Sequence, residues 1–199
     1  MTSILEIIKN RRSLRRYQQR PVPQQTIETI LEAAIWSPSA HNRQPWRFAV
    51  IQEQTSKERL ARAMGTRLRR DLTADNVPER VIEADVSRSY ERITLAPVLV
   101  LLALSMADMD AYPDEKRSTN EYLMAVQSVA MAGQNLLLAA HEAELGACWM
   151  CAPLFCPDVV AEALELPPDW EAQALITMGY PAQEREKTRQ PLEERVVWR

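Results

Sequence analysis

A run of seven apolar residues at positions 98–104, Val-Leu-Val-Leu-Leu-Ala-Leu, sets the strongest constraint on the fold. Pro97 ends the helical pattern that precedes the run, and this indicates a strand rather than the continuation of a helix. A strand with no polar residue on either face has to be covered on both faces. We therefore expect a sheet whose central strand is enclosed by packed elements.

Helical and strand patterns alternate along the rest of the chain. The apolar positions Ile27, Ile30, Leu31, Ala34 and Ile35, for example, have the spacing of an amphipathic helix. A Ser-x-x-Glu capping box opens the first helix at residue 3 and a second one opens a long helix at residue 118. The patterns predict helices at residues 3–10, 24–36, 57–92 with a polar break at 75–78, 118–145 and 158–164, and strands at 48–51, 98–104, 147–150 and 174–178. This order predicts the α+β class.

Composition limits the classes of protein to which the chain could belong. Its 199 residues suit a single domain, residues 1–199, or one protomer of an intertwined dimer. The net charge of −3 offers no general attraction to nucleic acid or to a membrane. Polar residues interrupt the apolar stretch 125–140, which favours a buried core helix over a membrane span. Three cysteines and no visible export signal predict reduced thiols in the cytoplasm.

The four glycines lie far apart, and no glycine-rich phosphate loop can be drawn through them. A phosphorylated cofactor would need another phosphate site. Guanidinium groups bind phosphate through charge-assisted hydrogen bonds, and a serine hydroxyl adds a donor. The candidate residues are Arg11, Arg12, Ser13 and Arg15. On composition alone, a solvated basic patch is the favoured interpretation of this cluster.

Two further segments could carry chemistry. Residues 37–46 concentrate side-chain donors and acceptors between a helix and a strand, as ligand-binding loops often do, although an ordinary connecting loop is equally compatible. Cys148 and Cys151 have C-x-x-C spacing, with Cys156 nearby, so a redox dithiol or a metal site has to be considered. A strand at 147–150 would point the first two thiols to opposite faces, and no second ligand pair completes a metal site. We therefore expect inert thiols and no bound metal.

Six motifs in order along the chain resemble those of the nitroreductase superfamily of FMN-dependent enzymes. Residues 11–17, Arg-Arg-Ser-Leu-Arg-Arg-Tyr, are similar to the family's R-R-S-x-R-x-F opening, and residues 37–46 to A-P-S-x-x-N-x-Q-P-W. Residues 189–194, Arg-Gln-Pro-Leu-Glu-Glu, are similar to R-K-P-L-E-E. The remaining matches are Val22-Pro23 with the helix containing Leu31-Glu32-Ala33-Ala34, then Leu145 to Trp149, and Gly179-Tyr180-Pro181.

The resemblance implies a small mixed central sheet flanked by helices, in an intertwined homodimer whose tail crosses to the partner. It assigns the FMN phosphate and ribityl chain to Arg11, Arg12, Ser13, Arg15 and Arg189. It brings to the flavin, from the partner subunit, Pro38, Ser39, Asn42 and Gln44. Backbone groups near the isoalloxazine ring would come from Cys148, Trp149, Met150 and Cys151. The implied reaction is ping-pong hydride transfer from NADH or NADPH to a small organic acceptor.

A narrower resemblance concerns the acceptor. Residues 70–72, 112–114 and 154–171 are similar to the flavin domain of the bifunctional enzyme of deazaflavin-coenzyme biosynthesis, which reduces a carbon–carbon double bond, although the glutamate-ligase companion domain is not seen here. Arginines at 69, 70, 88 and 92 would suit an anionic acceptor, or would simply form the outer faces of helices. Two other functions stay open, a flavin or deazaflavin carrier without turnover and a thiol redox protein.

Overall fold

The computed structural model describes residues 3–199, which form helices around one antiparallel sheet. The helices in this range are α1 (Ile4–Asn10), α2 (Gln24–Ile35), α3 (Gln54–Ala74), α4 (Glu79–Thr94), α5 (Glu115–Glu142) and α6 (Pro157–Leu164). The strands are β1 (Trp46–Ile51), β2 (Val98–Leu104), β3 (Gly146–Met150) and β4 (Glu171–Gly179). Short 3₁₀ turns follow α2, β3 and the polar tail, at Ala40–Asn42, Ala152–Phe155 and Leu192–Glu194. The α+β class is confirmed.

The strand order in the sheet is β1-β2-β4-β3, and every neighbouring pair is antiparallel. The mixed sheet implied by the resemblance is corrected to this extent. Within the described residues, the parallel component is an isolated bridge between Ser13 and Ala147. Strand direction depends on how the connecting helices pack, and the local pattern of a strand does not encode it. β3 lies at one edge of the sheet, where the bridge is formed.

The prediction that β2 is buried on both faces is confirmed, because each of its seven residues is at most 1% exposed. One face packs against α2 and α5, where Ile30 and Leu136 join Leu102 in one apolar core. The other face packs against α3, α4 and α6, where Leu60 joins Leu101 in a second core. Burial of one such side chain is worth about 1.5–3 kcal/mol, so the two cores hold the sheet in place.

The long helix α5 begins three residues before the position that the sequence pattern indicated. The Asp114 carboxylate accepts a hydrogen bond from the Arg117 backbone N–H (3.0 Å) and caps the helix there. The expected capping box at residues 118–121 is therefore wrong. Glu121 is buried instead, and its Oε1 accepts from the Asp110 N–H (3.2 Å). Asp114, four residues before Ser118, caps the helix because it lies at the end of the polar loop.

By length and composition, α5 is also the one helix in residues 3–199 that could cross a membrane. Within the chain, 44% of its most apolar window is buried. Core helices meet the same criterion, and the α5 residues Ala125, Val129, Ala132 and Leu136 pack in the core beside the sheet. The expected core helix is what the fold contains.

Gly133 of α5 marks the closest approach between this helix and the sheet. A Cβ atom at this position would overlap the Trp149 ring and lie 2.6 Å from Leu102 Cδ1. At Gly65 of α3, the nearest neighbour of an added Cβ would be Val86 Cγ1 at 3.4 Å, an ordinary contact distance. The two helical glycines therefore differ in purpose, since the first is required by packing and the second is not.

Gly133→Ala is expected to lower the free energy of unfolding by about 1–3 kcal/mol, because the added methyl group overpacks the core. Gly65→Ala is the matched control and should be neutral or stabilising by up to about 1 kcal/mol, because alanine loses less backbone entropy in a helix. Urea denaturation at one fixed protein concentration measures both. Equal effects of the two substitutions would show that α5 does not depend on this close approach.

Candidate functional site

The arginine-rich segment after α1 lies along the free edge of β3. Ser13 forms the parallel bridge with Ala147, and the Leu14 N–H donates to the Ala147 carbonyl (3.1 Å). Farther on, Tyr17 forms an antiparallel bridge with Pro181. Backbone pairing thus holds the segment at both ends, and its arginines lie beside the edge strand β3.

Tyr17 anchors this segment to the sheet. Its ring is 9% exposed, and its hydroxyl lies 2.6 Å from the Leu14 carbonyl, 2.9 Å from the Thr177 carbonyl and 2.7 Å from the Thr177 hydroxyl. Burial raises the pKa of the Tyr17 phenol well above its usual range. The hydroxyl therefore stays protonated and bonded, and it fixes the backbone on which Ser13 and Arg15 sit.

Arg11 and Arg189 are close enough for their charges to interact. Burial lowers the pKa of the Arg11 guanidinium, and the positive charges of Arg189 and Arg12 lower it further. Among residues 3–199, none of these three arginines lies within ion-pair distance of a carboxylate. The site thus concentrates positive charge that no ion pair in residues 3–199 neutralises.

Arg12 carries a polar atom that lacks a partner. Its Nη1 donates to the carbonyls of Lys9 and Arg11 (2.9 Å to the latter), yet its buried Nε makes no hydrogen bond within the described chain. A cavity of about 570 Å³ lies beside it, lined by Arg12, Arg185, Glu186, Lys187 and Thr188. Buried polar groups are rarely left unsatisfied, so an anion with several acceptor oxygens fits this position.

Arg185 is a site residue that the sequence analysis did not single out. The Ala182 N–H donates to the Arg16 carbonyl (3.1 Å), so the tail begins by pairing with the arginine-rich segment. Arg185 consequently lines the cavity beside Arg12 and also a second cavity of about 610 Å³ that contains Arg15. In the sequence, Arg185 lies in a polar tail with no motif around it. Its position depends on the long-range pairing of Ala182 with Arg16, which the sequence does not reveal.

The four residues assigned near the isoalloxazine ring lie on and just after β3, and they alternate in direction. Trp149 packs with the α2 and α5 core and Met150 with the other core. Cys148 is buried and Cys151 is exposed, and all three cysteines are free. Burial raises the pKa of the Cys148 and Cys156 thiols, so both stay protonated at neutral pH. This arrangement disfavours a redox dithiol at the C-x-x-C motif.

The loop at residues 37–46 is locally strained. His41, Asn42 and Gln44 have positive φ values of 48°, 53° and 51°. Ser39 Oγ accepts from the Gln44 N–H (3.0 Å) and holds this conformation. Strain of this kind, about 1–3 kcal/mol per residue, often marks a binding loop.

The same loop surrounds a separate cavity, which shares no lining residue with the two cavities that contain Arg12 and Arg15. Its volume is about 600 Å³, and its walls include Trp36, Pro38, Asn42 and Gln44. The buried Ser37 hydroxyl has no partner in the described chain. Within one chain, none of the assigned loop residues lines the cavities that contain Arg12 and Arg15.

Comparison with known proteins decides the family. The Nitroreductase family profile matches residues 8–180, which include the arginine-rich segment, the strained loop and all four strands. The chain belongs to the nitroreductase family. It is 31% identical over 214 residues to a Thermus thermophilus protein named NADH dehydrogenase, which covers 95% of this chain and 92% of the relative. It is 30% identical to a Methanothermobacter thermautotrophicus protein described as an NADH dehydrogenase or NAD(P)H nitroreductase, over 90% of this chain and 78% of that one.

Solved structures of the nitroreductase fold superpose on nearly the whole chain. A Desulfovibrio desulfuricans protein that was crystallised in complex with FMN has a TM-score of 0.76 and 28% identity, and the match covers 100% of this chain and 98% of the other. A BluB-like flavoprotein from Clostridium difficile has a TM-score of 0.83 at 23% identity, covering 100% and 99% of the two chains. The second likeness establishes the fold alone.

Arg189→Ala is expected to weaken FMN binding about ten- to a hundred-fold, because one charge-assisted contact contributes about 1.5–3 kcal/mol. Arg15→Ala should act in the same direction. Titration of the quenching of FMN fluorescence measures the affinity. Arg62→Ala, an exposed arginine on α3, is the control and should bind FMN as the parent protein does. Unchanged affinity in the first two variants would place the phosphate elsewhere.

Proposed function

We propose that this nitroreductase-family chain is an FMN-dependent oxidoreductase, and that residues 1–199 form its single FMN-binding domain. The observation that carries the proposal is the uncompensated group of guanidinium groups beside β3, with the unpartnered Nε of Arg12 among them. An oxyanion would satisfy several of these groups at once and would also neutralise their charge. The FMN named for the Desulfovibrio desulfuricans structure supplies the matching chemistry.

Each residue of the site has a role in holding the cofactor. Arg11, Arg12 and Arg189 would bind the phosphate, and Ser13 would bind the phosphate or the ribityl chain. Arg15, the next arginine along the segment, would bind the ribityl chain together with Ser13, as the resemblance implies. The backbone at the end of β3, residues 148–151, would offer hydrogen bonds to the ring edge, as the resemblance implies.

When bound, FMN supplies hydride transfer, taking a hydride from NADH or NADPH and passing it to an organic acceptor. The chain would contribute position and electrostatics, since guanidinium groups would hold the anionic end of the cofactor and backbone groups of residues 148–151 would orient its ring. We assign no acid–base side chain, because the flavin would carry out the redox chemistry. The two substrates would occupy the same face in turn, in a ping-pong sequence. Candidate acceptors are a deazaflavin-coenzyme precursor, nitro compounds and quinones.

A homodimer accounts for apolar surface that one chain leaves open. α1 has a complete capping box but no buried residue, and Ile4 and Leu5 are 69% and 54% exposed. At the other end of the chain, Val197 and Trp198 are 78% and 87% exposed. An isolated seven-residue helix is unstable in water, so its apolar side needs a partner. In a dimer, the strained loop with Pro38, Ser39, Asn42 and Gln44 would complete the site of the other subunit.

The two other functions are less well supported. A carrier that binds flavin or deazaflavin without turnover would have the same phosphate site, and only a turnover measurement separates it from an enzyme. A thiol redox protein conflicts with the buried, protonated Cys148 and with its exposed counterpart Cys151. A cytoplasmic location stays a prediction from the cysteine content.

The visible absorption spectrum of the purified protein, recorded anaerobically before and after addition of NADH or NADPH, tests the proposal. We expect flavin bands that bleach on addition, because the proposed enzyme takes its electrons from the nicotinamide. Bands that persist with both nucleotides would favour the carrier. A protein that stays colourless after incubation with FMN would contradict the proposal and revive the thiol interpretation.

Leu5→Glu is expected to shift the protein from dimer to monomer, because it places a charge in the apolar face of α1. Val81→Glu on α4 is the matched control, an exposed apolar residue outside the proposed interface, and should leave the dimer intact. Light scattering gives the mass of each variant. A parent protein that is a stable, FMN-loaded monomer would refute the dimer.

A further inference from the structure

The cavity that contains Arg15 is lined mainly by arginines among its charged residues, and we call it the arginine cavity. It has a volume of about 610 Å³ and lies between the arginine-rich segment, the end of α4 and the start of the tail. Its charged lining residues are Arg15, Arg16, Arg88, Arg92, Arg185 and Glu91. Five cations face one carboxylate, so the cavity has a strong net positive charge.

Most of these arginines are not neutralised by the protein. Arg88 pairs with Asp85, but Arg15, Arg16, Arg92 and Arg185 have no carboxylate within ion-pair distance in residues 3–199. Burial lowers the pKa of Arg92, and the charges of Arg15 and Arg88 lower it further. An anion that entered the cavity would therefore interact favourably with these charges.

The neighbouring arginines of the same helical pair behave differently. Arg69 on α3 donates to Glu79 (2.6 Å) and Glu83 (2.7 Å) of α4, and Arg70 lies against Asp71. These two are the outer-face arginines of an ordinary helix pair. The sequence suggested four arginines for an anionic acceptor. Arg88 and Arg92 line a cavity, whereas Arg69 and Arg70 are paired with carboxylates and are no longer candidates.

The structure has more arginine clusters than the single phosphate of FMN requires. FMN carries a single phosphate, which the proposed function assigns to Arg11, Arg12 and Arg189, and none of these three lines the arginine cavity. Arg15 is shared with the cofactor, and the other arginines of the cavity, Arg16, Arg88, Arg92 and Arg185, are then available for another anion. Arg185 lines both cavities, so that anion would lie next to the cofactor and not on a remote surface.

We propose that the arginine cavity binds a carboxylate or phosphate group of a substrate of the flavin site. This rests on the proposed function, because it names the chemical class of molecule that the site receives. The oxyanion belongs either to the acceptor or to the 2′-phosphate of NADPH. Both sources present the same chemistry to Arg92, and kinetics separate them.

Binding of inorganic pyrophosphate to the FMN-saturated protein, measured by calorimetry, tests the cavity without turnover. We expect the parent protein to bind it and Arg92→Gln to bind it about ten-fold more weakly or worse, because one charge-assisted contact is lost. Arg69→Gln is the control and should bind as the parent does. No binding by the FMN-saturated parent, or equal binding by Arg92→Gln, would overturn the inference. It also fails if Arg92→Gln loses FMN, since the cavity would then belong to the cofactor.

Steady-state kinetics of the FMN-loaded enzyme identify the source of the anion. If it is the acceptor, Arg92→Gln lowers kcat/KM about ten-fold for 4-nitrobenzoate and leaves nitrobenzene, its uncharged counterpart, unchanged. If it is the reductant, the same variant lowers kcat/KM for NADPH and leaves NADH unchanged. Equal losses for charged and uncharged substrates would overturn the inference. Absence of turnover with every pair would refute the proposed function, and pyrophosphate binding would still decide whether the cavity is an anion site.

Discussion

The pairing of residues 13–18 with the edge of the sheet is the interaction on which the rest of the site depends. The backbone bridges at Ser13 and Tyr17 and the buried Tyr17 hydroxyl hold a short segment that carries several like charges. Like charges repel, and a free segment of this composition would move into solvent. Because β3 is an edge strand with open hydrogen-bonding groups, it provides the attachment that prevents this.

The same attachment organises the tail. The Ala182 N–H bonds to the Arg16 carbonyl, so the chain returns past the arginine-rich segment before it turns polar. Arg185 and Arg189 thereby reach cations that are more than 160 positions earlier in the sequence. The fold thus gathers positive charge from both ends of the chain, and it places that charge beside the edge strand β3. A nitroreductase-family fold built this way binds an anionic cofactor without a glycine-rich loop.

Much of the secondary structure could be predicted because its signals are local. The capping box at Ser3 and Glu6 is present, and the helical break at 75–78 separates α3 from α4. The predictions were wrong where two local signals competed for the same helix start, or where packing between distant segments set the direction of a strand. Asp114, and not Ser118, caps the start of α5. Either residue can supply a capping oxygen, and the helix begins at the earlier of the two. The antiparallel directions of the strands depended on helix packing, which short apolar runs do not encode.

By itself, the sequence determined the order of the elements, the full burial of β2 and the family-like arrangement of Arg11, Arg12, Ser13, Arg15 and Arg189. These follow from periodicity and from motifs in order along the chain. Only the tertiary structure decided which arginines carry uncompensated charge. Arg69 and Arg92 belong to the same helical pair, yet the first meets two glutamates and the second faces other cations. The reason is that Coulomb energy depends on distances in space, and those distances are set by the packing of α3 and α4 and by the return of the tail.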